Sequence, residues 1–494
     1  MRSNMSERKL IFYDDARHYH YYIYEPPMTL AQATATVDAV AGTGVDTFVW
    51  GPGLGPTVFY ESQKADVFAE HLEVIGDVAS WRAYENSMDL IKRGLDPMRL
   101  MVERAHQLDM DFIPSYRLTH SSDPKDVDNA HNWKFKIDHP EWVLKGDSED
   151  DSRKNGFNWI YPEVRKERFD ILEEAVNKYD IDGLELDLTF DPYYFESYEV
   201  ESNMSVLTSF LKDLRNVCEE ASVKKNKKIS IGARIFPSLK ANSDAGFDLV
   251  KWVDLELLDF LVPNVYSHIP IDPNFKFDWV LDICSKKSVK VYPALGSVIG
   301  ANRERYAGLE YYRAAAAAYW DRGVDGLYIP WFPWPIESEH RQILREIGDV
   351  DVISEKSKRY YVAPKHEANM KFGHESYLPL ELITGVKAKN QTVKVYISEK
   401  SKFPKVNLII KLKESTFRDE MEILINGNVC KFDETNYTPL GFTHALIEIS
   451  LDRNNLVNGD NEIGVGILSR PEKLTGTVVL EEVEISIAYP NATI

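Results

Sequence analysis

The feature that most constrains this chain is an alternation. Over roughly the first 350 residues, short apolar strand-like runs and longer amphipathic runs succeed one another eight times. The strand-like runs are Lys9–Asp15, Val45–Trp50, Met110–Arg117, Ile181–Leu188, Lys227–Arg234, Leu258–Tyr266, Val289–Leu295 and Gly323–Trp331. Helical spacing lies between them, as in Met28–Gly44, Glu163–Tyr179, Met204–Ala221 and the alanine-rich Tyr306–Arg322. Strand and helix repeating in this way specify an α/β protein with a parallel sheet, and eight repeats specify a (β/α)8 TIM barrel. A doubly wound open sheet is disfavoured, because no glycine-rich phosphate loop follows any strand. Three helix-to-strand turns, Thr43–Asp46, Asp180–Gly183 and Arg322–Gly326, look alike and mark one corner at the barrel's bottom. Residues 60–86 read as an insertion.

Beyond residue 350 helical periodicity stops. Short alternating runs, such as Gln391–Ile397, Val406–Leu412, Met421–Gly427, Ala445–Leu451 and Val478–Ile487, are separated by Asn, Asp, Gly and Pro turns. This predicts a smaller all-β sandwich. The expected domains are therefore a catalytic barrel over 1–350 and an accessory sandwich over 351–494.

The run Ile181–Phe190 carries the chemistry. Period-two alternation puts Leu184, Leu186 and Leu188 on one face and Gly183, Glu185 and Asp187 on the other. Aromatic residues follow it, unlike a solvated turn. A leucine face toward helices leaves the acids at the barrel's C-terminal mouth, where such barrels keep their chemistry. Taking the end of every strand in the same way collects Asp14, Asp15, Trp50, Tyr116, Arg117, His120, Glu185, Asp187, Arg234, Asn264, Tyr266, His268, Tyr292, Trp331 and Trp334. Paired carboxylates with aromatic and polar side chains suit hydrolysis of a glycosidic bond. One acid protonates the leaving oxygen, and a carboxylate attacks C1 or activates water. Residues i and i+2 on a strand lie roughly 6.5–7 Å apart, which leaves either mechanistic separation open to Glu185 and Asp187. The same pair also reads as a structural network with Arg234 and Lys290. Asp14 and Asp15 also read as a loop cap, and Trp331 and Trp334 as packing.

Composition narrows the partners. The net charge of −20 disfavours nucleic acid and anionic membranes. No run is long and apolar enough to span a bilayer, so no membrane partner is expected. The three cysteines have no metal-ligand spacing, and no HExxH or other tight ligand pattern is present, so neither metal nor cofactor is expected. There is no Gly-x-Ser-x-Gly and no nucleophilic-cysteine signature. The first residues, MRSNMSERKLIFYDD, hold no signal-like apolar run. A cytoplasmic location is expected, or a periplasmic or secreted one if a leader has been removed. Nothing in the sequence fixes an oligomeric state.

Several stretches carry a resemblance: FYDDARHYH, TFVWGPGLG, HPEWVL at 139–144, the long run YPEVRKERFDILEEAVNKYDIDGLELDLTFDPYYF, and GARIFPSLKANSDAGFDLVKWV at 232–253. Together they resemble a group of glycoside-hydrolase-like barrel proteins of environmental bacteria, labelled family-10-like glycosyl hydrolases. That resemblance implies a barrel glycosidase acting on a carbohydrate, followed by a β-sandwich. Asp182-Gly-Leu-Glu-Leu-Asp187 is also similar to the fourth strand of α-amylase-type barrels, where a DGxRxD pattern ends in the nucleophile. This implies Asp187 as nucleophile, with Glu185 where those enzymes carry arginine. The fifth strand, ending GARIFP, lacks their acid glutamate, and the seventh, ending YPALGS, lacks the glutamate of the large retaining clan. The acid is then Glu185, Asp14, Asp15, Asp191 or Glu196. Ile423–Asn428 and Leu456–Ile463 resemble strand-turn signatures of galactose-binding-like domains. Two other functions stand beside hydrolysis: a non-catalytic carbohydrate-binding barrel, and a lyase or isomerase of sugar acids, which would want a metal.

Overall fold

The computed structural model describes residues 8–15, 21–53, 55–265, 270–300, 304–399 and 405–489. The chain forms two compact units. One comprises Met1–Tyr266, Phe277–Ala294 and Tyr328–Ile336, and the other Ser267–Lys276, Leu295–Leu327 and Glu337–Ile494.

The first unit is built on eight parallel strands: β1 Leu10–Asp15, β2 Thr47–Gly51, β3 Asp111–Arg117, β4 Gly183–Asp187, β5 Ser230–Ile235, β6 Phe260–Pro263, β7 Lys290–Val291 and β8 Leu327–Ile329. They lie in the order β8-β1-β2-β3-β4-β5-β6-β7. A parallel bridge from Ala294, just past β7, to Tyr328 of β8 closes the ring, with Tyr328 N donating to Pro293 O at 3.2 Å. The architecture is the expected (β/α)8 barrel. Past β7, Pro293 has no N–H to give β8, while the amides of Tyr292 and Ala294 carry the bonding to β6 onward at 3.0 and 2.9 Å.

Alternation along the strands sorts side chains into two layers. Ile11, Tyr13, Val49, Ile113, Phe260, Val262, Tyr292, Ala294 and Tyr328 pack together inside the ring. Phe12, Phe48 and Phe112 meet in a separate cluster, with centroids 5.9 and 6.3 Å apart. The barrel's lower rim is fixed by carboxylates that precede alternate strands. Asp46 before β2 accepts from Leu10 N of β1 at 3.0 Å. Asp182 before β4 accepts from Phe112 N of β3 at 2.8 Å, and Asp259 before β6 from Ile231 N of β5 at 2.8 Å. Two of the three look-alike turns thus do the same job.

The expected single helix after β1 is divided into Leu30–Ala33 and Ala35–Val40. The break falls at Thr34, a β-branched residue whose hydroxyl reaches back to Leu30 O at 3.5 Å and to Asp38 Oδ2 at 3.1 Å. The expected insertion at 60–86 runs into a helix, Val78–Lys92, whose Asp77 cap accepts from Ser80 N at 2.9 Å. Pro162–Lys178 and Val200–Lys225 flank β4 in sequence as expected.

Among the described residues, the second unit contains two large antiparallel sheets and a small one pairing Val298–Ile299 with Arg305–Tyr306. One large sheet runs Lys358–Tyr361, Val478–Ala488, Lys405–Lys413, His444–Leu451, Tyr437–Leu440, with Leu380–Leu382 also paired to Val478–Ala488. The other runs Thr392–Ile397, Gly459–Ser469, Glu420–Ile425, Asn428–Val429. Alternate residues of both, including Leu408, Ile410, Val393, Val395, Val465 and Val483, fill one core. Ala314 of helix Leu309–Asp321 joins that core, since an alanine face lets a helix approach closely.

A glycine controls the barrel's filling. A Cβ at Gly232 would be built into the Phe260 ring across the β5–β6 pair. Gly232→Ala is expected to cost about 1–3 kcal/mol by overpacking, read as a lowered urea midpoint with an unchanged slope.

Candidate active site

The mouth is built by the last inward-facing residues of neighbouring strands: Asp15 of β1, Arg117 of β3, Asp187 of β4 and Arg234 of β5. They are 1–4% exposed. Arg117 lies between two carboxylates. Its Nη2 donates to Asp15 Oδ2 at 2.9 Å, and its Nε lies 3.5 Å from Asp187 Oδ2. Arg234 Nη2 lies 3.0 Å from the same Asp187 oxygen, and its Nε is 2.9 Å from Glu185 Oε1. Two guanidiniums therefore tie three carboxylates across four strands.

Glu185 sits one step deeper and is fully buried. Its Oε1 accepts from the Ser115 hydroxyl at 2.7 Å and from Tyr328 OH at 3.0 Å. Arg234 Nη2 also donates to Ser115 Oγ at 2.9 Å. The second Glu185 oxygen, Oε2, has no hydrogen-bond partner among the described residues. Tyr13 lies under this network: the Arg234 guanidinium is 4.1 Å from its ring centre, and Arg117 Nη2 is 3.4 Å from its hydroxyl. Burial and the Asp15 charge push that hydroxyl up to about 12.

Aromatic side chains frame the upper edge. The Arg117 guanidinium lies 3.9 Å from the centre of Phe190 and 5.9 Å from that of Trp331. Its Nη1 is buried without a hydrogen-bond partner. Trp331 (φ 49°) and Asp191 (φ 44°) both have left-handed backbone, a strain that clusters at functional sites. Asp191 Oδ2 accepts from Ser121 N at 3.0 Å, and burial holds its carboxyl above the ordinary range. Asn264, after β6, donates through Nδ2 to Thr189 Oγ1 at 3.3 Å.

The other candidates are placed elsewhere. Asp14 accepts from the Thr36 hydroxyl at 3.1 Å, and burial and Asp15 push its carboxyl well up. It lines a small cleft with Phe12, Phe332 and Trp334. Trp50 is fully buried, with its ring 6.2 Å from Phe112 in the outer layer. Tyr116 OH pairs with Tyr60 OH at 2.9 Å. These residues alternate with Asp15, Gly51 and Arg117 and so point away from the ring interior. His120 lies on the loop after β3, its ring 5.5 Å from His131 and 6.1 Å from Phe190. That loop is pinned by the buried Lys136, whose Nζ donates to His120 O and Ser122 O at 2.6 Å each. Glu196 accepts from Lys145 N at 2.8 Å and Gly146 N at 3.2 Å, a loop-closing role. Tyr266 and His268 lie outside the described residues. Among the described residues, no group of three or more His, Cys, Asp or Glu side chains is placed to hold a metal ion.

Sequence reasoning passed over Tyr13, Ser115, Tyr328, Thr189 and Phe190. Tyr13 and Ser115 stand two residues before Asp15 and Arg117 on the same face, so period-two counting finds them.

Residues 74–213 match the family model described as Glycosyl hydrolase-like 10, in line with the resemblance drawn from the sequence. No curated protein matches the chain. Among solved structures, the chain is similar to a cycloisomaltooligosaccharide glucanotransferase of Paenibacillus sp. complexed with cycloisomaltoheptaose. Identity is 10%, TM-score 0.37, and the alignment covers 97% of this chain. The chain spans 58% of that enzyme's length. An α-amylase from Geobacillus thermoleovorans complexed with acarbose shows 11% identity and TM-score 0.40, covering 96% of this chain and 100% of that one. The PgaB glycoside hydrolase domain from Bordetella bronchiseptica shows 10% identity and TM-score 0.42, covering 69% and 99%.

Burial pushes the Glu185 carboxyl up, opposed by Arg234 and the Ser115 hydroxyl. An acid held above its ordinary value contributes stability that is complete at low pH and lost as pH rises through the folded value. Glu185→Gln mimics the protonated carboxyl at every pH and removes that dependence. The urea midpoints of wild type and variant are therefore expected to lie closest near about pH 4, with wild type falling relative to the variant toward about pH 8.

Proposed function

We propose that this protein is a glycoside hydrolase that cleaves O-glycosidic bonds of a poly- or oligosaccharide at the barrel mouth. The observation that carries the reading is Arg117, which links the carboxylates of Asp15 and Asp187 at the C-terminal ends of two strands. The glycosyl hydrolase-like match over 74–213 supports it. Asp187 acts as nucleophile or base. Asp15 is the second carboxylate, on the other side of the shared guanidinium. Glu185, fully buried beneath Arg234, holds that arginine in place instead of meeting the sugar. Trp331 and Phe190 supply apolar walls beside the ring, and Asn264 meets a hydroxyl. The β-sandwich serves as an accessory part.

The charge balance favours a neutral sugar. Arg117 and Arg234 are already engaged by Asp15, Glu185 and Asp187. A sulfated or uronic-acid ring would compete with those carboxylates and meet their repulsion. The surplus negative charge instead suits the positive charge that develops at C1.

One observation favours a second reading, a barrel that binds carbohydrate without cleaving it. Both oxygens of Asp187 are engaged, Oδ2 by the two arginines and Oδ1 by Thr189.

Product release from neutral, sulfated and uronic-acid glycans separates the two. Wild type is expected to cleave a neutral glycan, with Asp187→Asn and Asp15→Asn each reducing the rate by about 10²–10⁴-fold while circular dichroism stays unchanged. Full activity in either variant removes that residue from the mechanism. Saturable glycan binding with no product favours the second reading.

A further inference from the structure

Thr189 donates twice to Asp187 Oδ1, from its amide at 3.2 Å and from its hydroxyl at 2.9 Å. A threonine hydroxyl has one hydrogen, so with that hydrogen given to Asp187 its oxygen serves as an acceptor. The donor it faces is Asn264 Nδ2 at 3.3 Å. This fixes the direction of the chain: amide N–H to hydroxyl, hydroxyl to carboxylate. It also fixes which way the Asn264 amide points. With Nδ2 committed to Thr189, the carbonyl Oδ1 is turned the other way. That oxygen is buried, on a residue 2% exposed, and has no hydrogen-bond partner among the described residues.

A buried acceptor without a donor is costly, and the cost is removed by a ligand that brings a hydrogen. Arg117 Nη1, beside the same carboxylate, is likewise buried without a partner and offers the complementary donor. The Asp187 carboxylate is thus linked through two side chains, one following β4 and one following β6, to an open acceptor.

We propose that Thr189 and Asn264 form a two-link hydrogen-bond relay that orients Asp187, and that the open end of the relay, Asn264 Oδ1, accepts the hydrogen of a sugar hydroxyl. Thr189 is a positioning residue. Asn264 reads the substrate. The second half of the proposal rests on the glycoside-hydrolase reading; the first does not. Because linked hydrogen bonds polarise one another, a hydroxyl donating to Asn264 strengthens the donation from Thr189 to Asp187. Recognition of the correct ring therefore tightens the reacting carboxylate. A ring that lacks the hydroxyl leaves Oδ1 buried and unpaired, the situation in which protein sites discriminate most strongly.

The test follows the Asp187 carboxyl by NMR in protein labelled with ¹³C-aspartate, the signal being assigned by its loss in Asp187→Asn. Thr189→Val keeps the side-chain shape and removes the hydroxyl. It is expected to displace the Asp187 carboxyl resonance at neutral pH, because the carboxylate loses a hydrogen-bond donor. Thr189→Ser is expected to restore the wild-type resonance, and Asn264→Ala to displace it in the same direction by less. D-glucose, D-galactose, D-mannose and 2-deoxy-D-glucose are then titrated separately into wild type. At least one hexose is expected to give a saturable change in the Asp187 signal that Asn264→Ala abolishes and Thr189→Ser retains.

An Asp187 resonance that is unmoved in Thr189→Val overturns the relay. A sugar response that persists in Asn264→Ala, or no response to any of the sugars, overturns the hydroxyl role. The first measurement needs no turnover, so a relay that holds in a protein that cleaves no glycan counts against the hydrolase reading alone.

Discussion

Two buried arginines carry the upper half of the barrel. Arg117 and Arg234 reach across β1, β3, β4 and β5 to Asp15, Glu185 and Asp187, and every one of these groups is almost fully removed from water. Charges in such a place are tolerable only together. Loss of one partner leaves another without compensation, which is far more damaging than loss of a surface pair. The lower part of the ring is filled by Ile11, Val49, Ile113 and Val262, which need no such arrangement. The barrel therefore changes from an apolar plug to an ionic lattice along its own axis. The aromatic residues Tyr13, Phe190 and Trp331 lie around the lattice, offering ring faces to guanidinium charge.

The alternation of strand and helix made the barrel legible, and all eight strand positions follow from it. Position along the chain located the mouth. What it did not supply was the face. Asp14 and Asp15 are neighbours in sequence but point to opposite layers, and only Asp15 meets Arg117. The same parity removes Trp50 and Tyr116 from the mouth and adds Tyr13 and Ser115. Thr189 and Phe190 follow the strand in an irregular segment, where no period assigns a direction, so only the folded chain shows their contacts. The helix at Val78–Lys92 carries a readable cap in Asp77, but its apolar spacing is loose, and three of its five buried positions are Ser or Asn. Thr34 broke the first helix for a reason equally local, a side chain competing with the backbone.

The glycosyl hydrolase-like match over 74–213 takes in β3 and β4, and with them Arg117, Glu185 and Asp187. Asp15 on β1, Arg234 on β5 and Asn264 after β6 lie outside it. The matched segment thus supplies one guanidinium and two carboxylates, and flanking strands complete their partners. A site assembled in this way depends on ring closure: the bridge from Ala294 to Tyr328 brings the Glu185-bonded hydroxyl of β8 to the far side of β4.

The aspartates of the lower rim bear on how such a barrel changes over time. Asp46, Asp182 and Asp259 each clasp the first free amide of the preceding strand, tying the strands in pairs β1–β2, β3–β4 and β5–β6. Register is thereby anchored at the end opposite the ionic lattice. Each pair behaves as a module with a fixed foot and a replaceable tip. Insertions or exchanges in the upper loops leave strand alignment untouched, so new surfaces are able to accumulate above an unaltered base.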